Sequence, residues 1–138
     1  MGKRGLQRIL RVREVQVTLA RLDEAHSHEK LASEQALRDR IAALAADVAP
    51  AEQMAAAFSL KAAAVYRERL HQSAAAAHAR VEQARQRAEL AAERTRAARQ
   101  DQSAIEKLID KRAVQAVARE MRALENLPQP PRKRHGIC

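Results

Sequence analysis

The 138 residues include 26 lysines and arginines against 17 aspartates and glutamates, a formal charge of +9, with one Tyr, one Phe and no Trp. Hydrophobic residues make up 46%, largely alanine, and charged residues 31%. Alanine buries little area, so this composition argues against a compact, aromatic-cored domain and fits a coiled coil or long helical rod.

The charge is uneven. Residues 1–110 carry 19 basic and 15 acidic side chains, a net +4, while 111–138 carry seven basic and two acidic, a net +5. Such a bias points to an acidic partner: nucleic acid, an anionic membrane or an acidic protein surface. The single cysteine, Cys138, leaves no internal disulfide and fits a reducing compartment. With no signal-peptide h-region and no run of about 20 apolar residues, a soluble, cytoplasmic protein is expected.

After a short basic lead-in, Leu6, Ile9, Leu10, Val12, Val15, Leu19 and Leu22 start an amphipathic helix of about 6–48. Around His26-Ser27-His28 the pattern loses phase, and it resumes with Leu37, Ile41, Leu44 and Val48. From Leu22 to Leu37 is one residue more than two heptads, which reads as a local stutter.

Pro50 is the internal breaker. Proline disfavours helix at the preceding residue and suits the first turn of a new one. A turn at about 48–51 predicts that two helices fold back antiparallel, with a single straight or kinked helix through Pro50 as the alternative. Reversal at 49 or 50 makes facing residue numbers sum to about 99. Ile41 then faces Phe58, Leu31 faces Glu68, Leu22 faces Ala77, Leu19 faces Arg80–Val81 and Leu10 faces Glu89–Leu90.

From Ala51 to Leu127 there is neither proline nor glycine. Leu70, Ala74, Ala77, Val81, Ala84, Ala88, Ala91, Thr95, Ala98, Gln102, Ile105 and Ile109 recur at spacings of four and three, a sustained heptad seam. The residues between are strong helix formers. One helix over about 51–127 follows. The fold class is therefore all-α: a two-helix antiparallel coiled-coil hairpin, residues 1–127, with a longer second helix. Residues 128–138, with three further prolines beside Arg132-Lys133-Arg134-His135, read as a disordered basic tail. In this register the first helix ends opposite Glu93. Ile105, Leu108, Ile109, Val114, Val117, Met121 and Leu124 are then left uncovered, which calls for a partner or self-association.

Catalysis is not expected. The lone cysteine has no positioned base, the three glycines form no phosphate loop, and the carboxylates alternate with arginine on wet faces. No cofactor is called for. His26 and His28 would face Ser73 and His71, a set that could bind a metal, although exposed, unrelated histidines on a polar segment are the plainer reading and no metal is expected. The tail arginines could contact phosphates, but no aromatic stacking or groove-reading element accompanies them. Phe58 and Tyr66, near the turn, suit either packing, Phe58 on Ile41, or a protein contact.

The segment Gly5-Leu6-Gln7-Arg8-Ile9-Leu10-Arg11-Val12-Arg13-Glu14, the break near one third of the length, the longer second helix and Ile105-Glu106-Lys107-Leu108-Ile109-Asp110-Lys111-Arg112 together resemble FliJ. This is the small cytoplasmic protein of flagellar type III export, and the YscO-like stalk proteins of injectisomes are similar. The resemblance implies a non-enzymatic stalk. One end would sit in the pore of the export ATPase hexamer and the hairpin tip would face the export-gate platform protein. Export chaperones would be further partners, and contact with the inner membrane would be peripheral, through partners. Carried over by region, Leu6, Leu10, Ile105, Leu108, Ile109, Lys111, Arg112, Val117 and Met121 would fall at the ATPase end. Ile41, Phe58 and Tyr66 would fall toward the gate. The alternatives are a coiled-coil scaffold dimerising through the second helix, and a basic helical binder of nucleic acid or membrane surface.

Overall fold

A computed structural model describes residues 2–47 and 57–128. Two α-helices, α1 (Lys3–Asp47) and α2 (Ala57–Glu125), pack antiparallel along one seam, and there is no strand among the described residues. The all-α hairpin with a longer second helix is thus the observed fold. The predicted turn at 48–51, the first turns of the second helix before Ala57 and the basic tail beyond Pro128 lie outside the described residues. None of the described helices is long and apolar enough to cross a membrane.

Local chemistry accounts for the ends. The Gly2 carbonyl accepts from the amides of Gly5 (2.9 Å) and Leu6 (3.4 Å), satisfying two donors that open α1. At the other end of the hairpin's second arm, the Asn126 amide bonds to the Arg122 carbonyl at 3.1 Å and that of Leu127 to Leu124 at 3.2 Å. Pro128 then lacks the amide that another turn would need. Pairs one turn apart line the wet faces: Arg85 with Glu89 at 3.1 Å, Gln72 with Glu68 at 3.1 Å and Gln86 with Glu82 at 3.2 Å.

The seam of α2 is the one its sequence spells. Ala77, Ala84, Ala88, Ala91 and Thr95 are 1–5% exposed. Val81, Ala98, Gln102, Ile105 and Ile109, in the same phase, are half-buried. Alanine at the closest positions lets the two backbones approach. Thr95 is tolerated there because its hydroxyl donates to the Ala91 carbonyl at 3.2 Å.

The seam of α1 differs from expectation. It runs through Leu6, Leu10, Arg13, Val17, Ala20, Glu24, Ser27, Leu31, Glu34, Arg38, Ile41 and Ala45, in unbroken four-three phase. Leu6 and Val17 are 6% and 3% exposed. Val12, Val15, Leu19 and Leu22, expected in the seam, are 57–62% exposed on the opposite face, and Leu37 and Leu44 are 41% and 50% exposed. The apparent stutter arose from following the largest aliphatics from one face of the helix to another. The true seam passes straight through the polar middle.

The register is also corrected. Arg13 Nη1 lies 2.9 Å from Asp101 Oδ2, Glu34 Oε2 3.3 Å from Arg80 Nε, and Asp23 Oδ2 3.8 Å from Arg94 Nη1. The paired numbers sum to 114, 114 and 117, where reversal at Pro50 required 99. The facing pairs derived from that reversal, from Ile41–Phe58 to Leu10–Leu90, are not formed. Ile41 lies level with about residue 73, and Leu31 borders the groove that holds Arg85 and Ala88. The physical reason is charge matching. Glu34, whose side chain is only 12% exposed, takes Lys30 and Arg80 as partners at 3.3 Å each. Its Oε2 is shut off from water, and the Arg80 contact is an ion pair without hydrogen-bond geometry. In the register summing to 99, Glu34 would be level with Val65 and lose Arg80, while Lys30, one turn away on its own helix, would stay.

Candidate protein-docking site

Because the register is shifted, the uncovered part of α2 is shorter than expected. Lys3, the first residue of α1, comes level with about residue 111. Ile105 and Ile109 are therefore half-buried in the hairpin seam rather than bare. Leu6 reaches across to border an open cleft of ≈ 520 Å³ with Ile109, Arg112, Ala113, Ala116 and Arg119. Beyond it α2 continues alone for about 20 Å.

On that bare end Val114, Val117, Met121 and Leu124 are 69%, 55%, 57% and 66% exposed. Their three-four-three spacing confines them to an arc of roughly 80° at about 100° per residue. The continuation of the hairpin seam, Arg112, Ala116, Arg119 and Ala123, faces roughly 150° away. The bare end thus has two faces, one aliphatic and one of arginine alternating with alanine. An aliphatic face outside any seam, on a helix too long for its partner, is a candidate protein-docking surface.

The nine residues assigned by resemblance to the ATPase end do gather at this end of the rod, but in different states. Leu6 is buried, while Leu10, Ile105 and Ile109 are half-buried within the hairpin. Leu108, Lys111, Arg112, Val117 and Met121 are exposed. Val114 and Leu124 share the outward stripe with Val117 and Met121. All four are among the residues expected from the sequence to be left uncovered.

Toward the other end, Ile41 is half-buried in the seam. Tyr66 is 47% exposed, beside Lys61, Ala62, Val65 and Arg69. Phe58 lies on the first turn of α2, its side chain outside the described set. The three do not form one described patch.

The histidines are not brought together. His28 sits beside Arg85 and Ala88, whereas Ser73 and His71 lie level with residues 41–43. Among the described residues no three His, Cys, Asp or Glu side chains could share a metal ion. What the molecule offers chemically is surface: a rigid rod, an aliphatic stripe at its bare end and a basic cleft behind it.

No family model matches the chain, and no curated protein or solved structure matches it either.

Proposed function

We propose that this chain is a non-enzymatic stalk and coupling protein of a bacterial type III export apparatus, flagellar or injectisome. In this reading the bare end of α2 binds the export ATPase hexamer and the reversal end faces the export-gate platform protein. Export chaperones are further partners. The protein works in the cytoplasm and is held peripherally at the inner membrane through those contacts.

The observation that carries the reading is the bare end of α2, with Val114, Val117, Met121 and Leu124 aligned on one side and left uncovered by α1. Fully burying large apolar side chains contributes roughly 1.5–3 kcal/mol each, enough for a few of them to anchor a partner. The likeness of residues 5–14 and 105–112 to the stalk proteins supplies the partner's name, and the two-helix rod is the shape such a role needs.

The test is binding of the full chain to recombinant export ATPase, compared with Val117→Asp and Met121→Asp. Both residues are exposed, so the hairpin keeps its helical signal. A loss of binding by tenfold or more, about 1.4 kcal/mol or more, is expected. Unchanged binding would move the site off this stripe, and a wild-type chain that binds no export ATPase would end the proposal. Ile105 and Ile109 are poor probes, because they are half-buried in the hairpin itself.

A further inference from the structure

The outer face of α1 carries a second aliphatic stripe, which the proposed function leaves unused. Val12, Val15, Leu19 and Leu22 are 57–62% exposed. They too are spaced three-four-three and share an arc of roughly 80°. Behind them Val17 is 3% exposed in the seam, so the stripe sits on a length of helix anchored by its own hairpin. At the same level, the outer face of α2 presents exposed Glu93, Arg96 and Gln100. Only the α1 side of the rod is apolar there.

We propose that this stripe is the interface of a two-fold homodimer, with α1 of one copy packed antiparallel on α1 of another around an axis beside Val17. A three-four-three stripe reads the same in both directions. Antiparallel pairing therefore sets Val12 against Leu22 and Val15 against Leu19, so that every aliphatic meets an aliphatic, as a self-complementary interface requires.

The flanks agree with self-pairing. In an antiparallel two-fold pair each flank meets itself. The flanking residues nearest the axis are Gln16 on one side and Thr18 on the other, both uncharged. Farther out, Arg11 comes level with Ala25 and Asp23 with Ile9, so no like charges are juxtaposed on these flanks. The stripe at the bare end of α2 fails the same test. Antiparallel pairing around residue 119 would bring Glu120 of the two copies together, and like charges across an interface cost several kcal/mol. Arg8, in line with the stripe one turn before Val12, comes level with His26 of the other copy, and the four aliphatics between them are uninterrupted by charge on the stripe itself.

The stripe spans only about 15 Å of helix, short of the roughly 1,200 Å² that a stable interface buries. The dimer is accordingly weak and concentration-dependent, and it leaves the bare end of α2 free for another partner.

The test is sedimentation equilibrium of the full chain carrying Cys138→Ser, which removes disulfide dimers, from about 10 μM to about 1 mM, the range of weak association. A monomer–dimer equilibrium is expected. Leu19→Glu should raise the dissociation constant at least tenfold without changing the helical signal, and Met121→Glu should leave it unchanged. Spin labels at Gln16→Cys in the same background should report a separation below about 25 Å in the dimer, whereas an antiparallel dimer built on the bare end of α2 would hold them about 60 Å apart. A chain that stays monomeric, or any other pattern of variants or distances, overturns the proposal.

Discussion

Two stretches of α2 use the same spacing for opposite ends. Residues 77–95 place Ala77, Ala84, Ala88, Ala91 and Thr95 in the seam, all 5% exposed or less. Residues 114–124 place Val114, Val117, Met121 and Leu124 on a bare face, all more than half exposed. Among the described residues alanine dominates the most buried positions, with Leu6 and Val17 the buried large aliphatics, and many other large aliphatics are exposed. A two-helix hairpin has no third layer to enclose large side chains, so its closest contacts are made by alanine. Many of its large aliphatics then lie on faces that the hairpin itself does not cover. The contrast separates what holds the hairpin together from what the hairpin presents.

The first way to break the comparison is to remove bulk from each stretch's setting. Leu6→Ala takes away one of the few large side chains that α1 buries against α2, and a loss of about 2 kcal/mol or more is expected by urea denaturation. Leu124→Ala, on the bare face, should stay within about 0.5 kcal/mol of the parent. Equal effects would mean that the bare stripe is covered within the chain.

Adding bulk should reverse the usual intuition. Ala88→Leu enlarges a seam residue that is 2% exposed and should destabilise by about 1–2 kcal/mol through forced separation of the helices. The matching change on the bare end, Ala118→Leu, should be nearly neutral. If Ala88→Leu stabilises instead, the seam is looser than its burial indicates.

The smallest effect concerns the register. Arg13 and Asp101 pair at 2.9 Å with side chains 37% and 56% exposed. A double-mutant cycle with Arg13→Ala and Asp101→Ala should give a coupling of about 0.2–1 kcal/mol, falling with added salt. No coupling at low salt would place these two residues out of register.

Much of this was legible along the chain. The seam of α2 could be read because alanine, valine and isoleucine hold one heptad phase from Leu70 to Ile109 with little competition from other faces. The seam of α1 was misread for a definite reason. Val12, Val15, Leu19 and Leu22 outrank Arg13, Ala20, Glu24 and Ser27 in hydrophobicity, yet the latter face α2. Periodicity reports that a helix has an apolar face, and with two such faces it does not say which one meets the partner. The phase shared by Leu6, Leu10, Leu31 and Ile41 was the better guide. The docking stripe was legible, since Val114, Val117, Met121 and Leu124 were all named among the aliphatics left uncovered. Ile105 and Ile109 were grouped with it only because the register was misplaced.

The amino-acid sequence by itself determined the helical class, the number of helices and their order of length, because helix propensity and the isolated breaker at Pro50 are local properties. The tertiary structure alone decided the register. That choice depends on which distant charges meet, Glu34 with Arg80 and Arg13 with Asp101, and on the level at which α1 runs out along α2. The same choice decided which aliphatics the hairpin keeps for itself and which it leaves for another molecule.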